Sequence, residues 1–456
     1  MNLHRMLLAR EAAGRPVTAA LIGAGKFGTM FMSQARLTRG LHLAGVADLD
    51  VARARRQLDT AGWPAPQYAA ASLGEALRGR TTHVTDDAMA LIANPDIEVV
   101  IEATGVPAAG IAHALAAIAH GKHIVMVNVE ADALAGPLLA RRAQAAGVVY
   151  SLAWGDQPAL ICEHVDWARA CGFKVVAAGK GTRYEPHYHR SNPDTVWDIL
   201  DKYLKIADRA SINPKMFNSF VDGTKSGIEM TAVCNATGLL PQSGGLSFPP
   251  ASRFELADVC KPRRDGGVLE ASGVTEVTSS VYRDGRDVPH HLALGTYVVI
   301  EGETDYARRC FGEYAMLPDK SGHYAALYRP IHMIGLELGI SVASAALRRE
   351  PTGTPTGFRS DVVATAKRPL KAGEVLDGEG GFCVWGRQTP AEISLRDGLL
   401  PLGLAHHVTL KRPIAEGEAV AWDDVAVDTA DPAVRFRREM ERAFAPVDAA
   451  PAAQRA

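Results

Sequence analysis

The chain has 456 residues, a formal net charge of −2, 47% hydrophobic residues and 22% charged residues. This length exceeds the size at which a single core stops growing, which predicts two or three domains. The near-neutral charge argues against a nucleic acid or an anionic membrane as partner, so a small molecule is expected. Six cysteines without a closely spaced pair, no apolar run of about 18 residues and no signal peptide favour a cytoplasmic location.

The first domain, predicted over residues 1–155, alternates apolar strands with helices. A short N-terminal helix leads into the strands VTAALIG, LHLAGVAD, EVVIEATG and HIVMVN, which Ala-rich helical segments separate. Continuous apolar runs are typical of parallel strands that are covered on both faces. The alternation predicts an α/β fold with an N-terminal Rossmann dinucleotide-binding domain.

Two further regions follow. Residues 156–350 mix helical and strand patterns, which predicts an α+β domain for substrate binding and oligomerisation. Its last segment, YRPIHMIGLELGISVASAALRR, is apolar at helical spacing and is expected to return and pack on the nucleotide domain. After the linker PTGTPTGF, residues 351–445 contain KRPLKAGEVL and its echo KRPIAEGEAV, which predict a small β-rich module built from two similar half-units. Residues 446–456 are predicted to be a disordered tail.

A glycine-rich loop stands between the first strand and the following helix. In the segment GAGKFG, Gly23 permits a tight turn, Gly25 lets the backbone approach a pyrophosphate, and Gly28 brings the helix against the strand. Lys26 and Phe27 open the helix, whose N-terminus faces the phosphates. The loop predicts a dinucleotide site.

Asp48 ends the second strand, where a carboxylate can accept both ribose hydroxyls and repels a 2′-phosphate, so NAD is favoured. NADP stays possible because one of three following arginines could reach a phosphate; these are Arg53, Arg55 and Arg56. The residues expected to line the nicotinamide side follow the later strands and are Thr104, Gly105 and Asn128.

The segments LIGAGKFG, EATG and VNVEADALAGPLLARRAQAAGVVYSLAWGDQP resemble the homoserine-dehydrogenase-like superfamily. The chain departs from that pattern at Val129 and Glu130, where homoserine dehydrogenases carry a catalytic lysine after the asparagine, so homoserine is doubtful as the substrate. With its third module the whole chain is similar to the deoxyxylulose-phosphate-reductoisomerase-like proteins and to D-apionate oxidoisomerases. This resemblance implies a C-terminal SAF-type domain, a homodimer or homotetramer, and hydride transfer coupled to a skeletal rearrangement.

Four polar residues of the middle domain are the candidate catalytic groups. By resemblance to homoserine dehydrogenases, Asp222 and Lys225 open an apolar helix and Lys225 is the proton-transfer candidate, with a pKa that desolvation could bring near neutrality. Glu229 lies one helical turn beyond Lys225, which would also allow an exposed ion pair between the two. Asp156 begins the second domain and is expected to face the interdomain cleft.

The loop GKGTRYEPHYHR carries enough positive charge to hold a carboxylate or phosphate, so Lys180, Arg183 and His187 are candidate substrate-binding residues. A divalent metal stays uncertain: His187 and His189 have a metal-site spacing that Asp222 or Glu229 could complete.

Three functions remain open from the sequence. The leading one is NAD(P)-dependent oxidoisomerisation of D-apionate to 3-oxo-isoapionate in sugar-acid catabolism. The alternative is NADPH-dependent conversion of 1-deoxy-D-xylulose 5-phosphate to 2-C-methyl-D-erythritol 4-phosphate in isoprenoid biosynthesis. A third, of another class, is a nucleotide-sensing carbohydrate-binding protein.

Overall fold

The first domain is built on a six-stranded, fully parallel sheet with the strand order β3-β2-β1-β4-β5-β6. The computed structural model describes residues 2–202 and 213–445, so the predicted tail lies outside the described residues. The elements of this domain are α1 (Leu3–Ala12), β1 (Val17–Ile22), α2 (Lys26–Ala35), β2 (Leu41–Ala47), α3 (Val51–Thr60), α4 (Leu73–Gly79), β3 (His83–Thr85), α5 (Ala88–Ala93), β4 (Val99–Glu102), α6 (Pro107–Ala119), β5 (His123–Met126), α7 (Val129–Ala145) and β6 (Tyr150–Leu152).

Local chemistry explains where these helices begin. The side chains of Asp50, Ser72, Asp87 and Asn128 each accept a backbone N–H at the start of a helix, which satisfies a donor that the helix itself cannot pair. Strands β4 and β5 are buried along their whole length, as the apolar runs predicted. The predicted α/β class and the Rossmann domain are confirmed.

The middle domain is a mixed sheet with the order β10-β9-β7-β8, in which only β7 and β8 are parallel. Its elements are α8 (Gln157–Ala170), β7 (Lys174–Thr182), α9 (Val196–Leu200), α10 (Pro214–Val221), α11 (Thr224–Thr237), α12 (Leu256–Val259), β8 (Val274–Ser279), β9 (Thr296–Glu301), α13 (Asp305–Glu313) and β10 (Tyr324–Arg329). Helix α14 (Gly339–Arg348) then returns to the first domain, where Val342 and Ala343 enter its core, as the apolar periodicity predicted.

The third domain contains a two-stranded and a three-stranded sheet, ordered β11-β13 and β12-β14-β15. Its elements are β11 (Ser360–Ala366), β12 (Val375–Asp377), β13 (Val384–Pro390), α15 (Ala391–Arg396), β14 (His406–Leu410), β15 (Val425–Ala426) and α16 (Pro432–Phe444). The two repeated half-units pair with each other, because Leu370 and Ile414 exchange both backbone hydrogen bonds, of 2.9 and 3.1 Å.

The half-units also repeat an ion pair. Arg368 binds Glu374 in the first, and Arg412 binds Glu418 at 2.9 Å in the second. In each half-unit the glutamate additionally accepts a backbone N–H of its own turn. The sequence echo therefore corresponds to a repeated structure.

A buried arginine joins the third domain to the first. Arg437 of α16 donates to Asp361 of β11 at 2.5 Å and to the carbonyl of Leu134 in α7 at 3.1 Å. Arg437 and Asp361 are both completely buried, so removing one partner would leave an uncompensated charge in the interior. The third domain is therefore tied to the first through α16 and α7. None of the described helices has the length and apolar character that crossing a bilayer requires.

Candidate active site

The glycine-rich loop has the geometry that a pyrophosphate needs. Gly23 has a φ of +99°, and a Cβ there would lie 2.6 Å from the carbonyl oxygen of Ala103. A Cβ on Gly28 would overlap the carbonyl of Gly23, so α2 packs directly against the loop. Gly25, the N-cap of α2, has no neighbour within 4 Å of its Cβ position, which leaves open space in front of the N-terminus. Lys26 and Phe27 form the first turn of α2.

Asp48 lies beside this loop and is already engaged. One of its oxygens accepts the N–H of Ala24 at 2.8 Å and the other accepts the N–H of Asp50 at 2.9 Å. The guanidinium of Arg53, which is half exposed, binds both oxygens at 2.6 and 2.9 Å. Arg53 thus stands where a ribose or a 2′-phosphate would approach the carboxylate.

Thr104, Gly105 and Asn128 lie together at the carboxyl edge of β4 and β5. The Asn128 amide donates to the carbonyl of Val106 at 3.0 Å and to the Thr104 hydroxyl at 3.3 Å, and its oxygen caps α7. Gly105 has a φ of +68° and open space around its Cβ position. This edge is the place where open parallel sheets bind ligands.

Lys225 meets the first domain at this edge. Its ammonium forms an ion pair with Glu130, two residues beyond Asn128, and both side chains are about 15% exposed. Burial opposes the charge of Lys225, but the carboxylates Glu130, Glu379, Glu229 and Asp156 together raise the pKa of the ammonium above its ordinary value. The expected fall of this pKa toward neutrality is therefore wrong, because the carboxylates outweigh desolvation.

Glu229 does not pair with Lys225. It pairs with Lys180 of β7, and both members of this ion pair are at least 95% buried. An exposed pair between Lys225 and Glu229 is thus not formed, since Lys225 pairs with Glu130 of α7 and Glu229 pairs with Lys180 of β7.

Asp156 caps α8 and accepts the N–H of Gln157 at 2.9 Å. Burial raises its pKa to about 6, the charge of Glu229 adds to the shift, and Lys225 and His332 oppose it. Asp156 is thus a carboxyl that titrates near neutrality next to Lys225.

Asp222 is completely buried and fully engaged. One oxygen accepts the N–H of Thr224 at 2.9 Å, and the other pairs with Lys367 of the third domain at 2.7 Å. Asp222 therefore fixes the turn from which α11 and Lys225 project, an arrangement that suits positioning more than contact with a substrate.

We call the group of acidic and basic side chains around Lys225 the cluster; its members are Lys225, Glu130, Glu229, Lys180, Asp156, Asp222, Lys367 and Glu379. Of the basic-loop candidates, Arg183 and His187 do not join it. Arg183 binds Asp287 at 2.7 Å, and His187 is 61% exposed near Glu185. His189 instead binds the backbone carbonyl of Asp222 at 2.8 Å and stacks on Trp385. Within residues 2–202 and 213–445, no three His, Cys, Asp or Glu side chains are grouped to hold a metal ion, so the suggested histidine metal set is not assembled.

Three members of the cluster were not predicted as site residues: Glu130, Lys367 and Glu379. Glu130 was noticed only as a departure from the family's lysine. Lys367 and Glu379 belong to the third domain, and only the run of glycines around Glu379 could have indicated a close approach of backbone to another element.

Comparison with protein-family models divides the chain in the same way. Residues 23–152 match the NAD-binding domain of homoserine dehydrogenase, residues 155–338 match the catalytic domain of the oxidoreductase DRL, and residues 361–426 match the SAF domain. The resemblance to homoserine-dehydrogenase-like and DRL proteins and the SAF domain are confirmed. The chain is an NAD(P)-dependent oxidoreductase.

Solved structures give weaker likenesses. Biliverdin reductase from Synechocystis sp. PCC 6803 is 19% identical over 42% of this chain and 60% of its own, with a TM-score of 0.26. Homoserine dehydrogenase from Thiobacillus denitrificans is 16% identical over 74% of this chain and 76% of its own, with a TM-score of 0.42. Our chain thus spans less than two thirds of the biliverdin reductase. A search of curated proteins finds no significant match.

Proposed function

We propose that this oxidoreductase is an oxidoisomerase, which couples hydride transfer to a ketol-type rearrangement of a branched sugar acid, D-apionate to 3-oxo-isoapionate. The observation that carries the proposal is the Lys225 ammonium, held charged among carboxylates next to Asn128 at the carboxyl edge of the parallel sheet. A rearrangement of this kind needs both a base and a cation that stabilises the developing oxyanion, and the cluster offers both.

The glycine loop supports the cofactor part of the proposal. The open space at Gly25 and the free N-terminus of α2 suit a pyrophosphate. Gly23, Gly28, Lys26 and Phe27 would shape that cradle, and Thr104, Gly105 and Asn128 would border the nicotinamide. A dinucleotide held by these residues would supply the hydride acceptor for the oxidation.

The side chains of the cluster would divide the remaining chemistry. Lys225, which stays protonated, donates hydrogen bonds to the substrate oxygen on which negative charge develops. Asp156, with a pKa of about 6, is ionised at neutral pH and removes the hydroxyl proton that leaves in the ketol rearrangement. Glu229 and Lys180 hold each other in place beside them.

The charge balance favours an acid over a phosphate as substrate. The described cations of the cluster are Lys180, Lys225 and Lys367, and each already pairs with a carboxylate. A singly charged sugar acid suits this surplus of acidic groups better than a phosphate dianion does.

Incubation with NAD⁺ and D-apionate tests the proposal. We expect NADH absorbance to rise and NMR to identify the isomerised oxo acid. Lys225→Met should lower kcat by about 10²–10³-fold. The matched control is Lys174→Met at the first residue of β7, which breaks an ion pair with Glu301 that is more exposed than the pair between Lys225 and Glu130. Absence of NADH would refute the proposal, and an oxidised but unrearranged product would refute its isomerase part.

A second candidate is the NADPH-dependent reductoisomerase reaction on 1-deoxy-D-xylulose 5-phosphate. Two observations favour it: the match to the DRL catalytic domain, and Arg53 beside Asp48, which could receive a 2′-phosphate. Rescue of a bacterium that lacks its own reductoisomerase tests this function, and failure of rescue at good expression would remove it. The homo-oligomer and the cytoplasmic location stay predictions.

A further inference from the structure

One loop of the third domain carries a single side chain between glycines. In the sequence Gly378-Glu379-Gly380-Gly381, a Cβ on Gly378 would overlap the ring of His406, and one on Gly380 would overlap the carbonyl of Lys215 in α10. Both of these glycines have φ values in the left-handed region, +71° and +64°. The loop backbone therefore packs closely against α10, and Glu379 is the one residue of this four-residue segment that has a side chain.

The catalytic domain holds this loop in place. Lys367 donates to the carbonyl of Gly381 at 2.7 Å while its ammonium pairs with Asp222. Asn218 of α10 donates to the carbonyl of Gly380 at 3.0 Å, and Lys215 donates to the carbonyl of Asp377 at 2.5 Å. Because the bonds from Asn218 and Lys215 and the Lys367–Asp222 pair cross between the two domains, the backbone of Glu379 has a fixed position relative to the helices that carry Asp222 and Lys225.

Glu379 borders a small cavity that all three domains close. Glu130 and Pro107 line it from the first domain, Ile228 from α11, and Leu402 and His406 from the third domain. The charged groups that act on Glu379 are Glu130 of α7, Lys225 of α11 and Asp222, which Lys367 neutralises. Glu130 pairs with the Lys225 ammonium from the first domain, and the charge of Glu379 acts on the same ammonium from the third domain.

We propose that Glu379 is a further acid–base residue of the active site, contributed by the third domain. This inference rests on the proposed function. The hydroxyl proton released during substrate oxidation passes to the Glu379 carboxylate, which becomes a neutral carboxylic acid, while Lys225 remains an ammonium. The proton then leaves to solvent and the carboxylate is restored.

The electrostatics agree with this role. Burial raises the pKa of Glu379 to about 7, Glu130 adds to the shift, and Lys225 and a hydrogen bond from Ser219 oppose it. A group with this pKa can both accept and return a proton near neutral pH. Glu379 of the third domain and Asp156 of the middle domain give the site two carboxyls whose pKa values lie near neutrality.

The first test measures turnover. Glu379→Gln should lower kcat for NADH formation from D-apionate by about 10²–10⁴-fold and remove the pH dependence of kcat near pH 7, with little change in KM. The matched control is Glu416→Gln, a substitution in the third domain that breaks an exposed pair with Arg190 of the middle domain; it should leave both kcat and its pH profile unchanged. An unchanged pH profile in Glu379→Gln would overturn the inference.

The second test needs no substrate. A glutamate whose folded pKa lies above its unfolded value of about 4.3 stabilises the protein below that value, and this contribution is lost as the pH rises through about 7. Glu379→Gln cannot ionise, so its urea midpoint should match the wild type below about pH 4 and exceed it at pH 9. Identical curves at every pH would overturn the inference. If D-apionate is not oxidised by the wild type, the proposed function fails and these curves alone decide on Glu379.

Discussion

The buried ion pair between Lys367 and Asp222 allows a quantitative prediction. Lys367→Met removes the cation but leaves the completely buried Asp222 carboxylate, and the carbonyls of Ser191 and Gly381 each lose a 2.7 Å donor. Breaking a buried pair from one side costs about 3–5 kcal/mol. Because domains are stable by only about 5–15 kcal/mol, the free energy of unfolding measured in urea should fall by about a fifth or more.

The repeat supplies the matched control. Lys411 stands at the equivalent position of the second half-unit and is exposed, so Lys411→Met should change the free energy of unfolding by less than about 0.5 kcal/mol. Adding Asp222→Asn to Lys367→Met should recover part of the loss, since the uncompensated charge is gone. The reasoning is refuted if Lys367→Met costs no more than Lys411→Met does.

Three further predictions concern the cofactor, the base and the core. Arg53→Ala should weaken NADPH binding relative to NADH by about tenfold, measured as dissociation constants, whereas the exposed Arg56→Ala should not change their ratio. The kcat of the wild type should rise with pH through about 6 as Asp156 ionises. Asp156→Asn should lower kcat by about 10²–10⁴-fold and abolish this rise. Asp166 is exposed on the same helix, and Asp166→Asn should leave the rise of kcat with pH unchanged. Burial raises the pKa of Asp132 to about 7, so its stabilising contribution is lost as the pH rises through that value. Asp132→Asn should therefore be more stable than the wild type by about 1 kcal/mol or more at pH 8, an advantage that disappears below about pH 4.

The first domain could be predicted well because its signals are local. The run VTAALIG, the glycines of the loop and Asp48 lie within a short stretch of sequence, and each glycine has the geometry that its spacing indicated. Asp48 was identified, but its pairing with Arg53 depends on the rotamer that the arginine takes on α3.

The site was predicted only in part because its contacts join distant segments. Lys225, Glu229, Lys180 and Asp156 are candidates from the sequence that the fold brings together, yet helical spacing suggests the wrong partner for Lys225. Packing of α11 against two other elements decides these pairs, and no local pattern records it. Glu379 required knowledge that the third domain packs on α10.

The two half-units of the third domain have similar sequences, but their equivalent lysines have different roles. Both copies keep an arginine–glutamate pair, but the first, inward copy places Lys367 as counter-ion to a buried carboxylate, whereas the second, outward copy leaves Lys411 on the surface. Mutational tolerance should therefore be asymmetric within one small module. The turn of the outward copy is therefore a suitable position at which to graft a peptide or an affinity handle, because Lys411 is exposed and takes no part in the contacts described around Lys225.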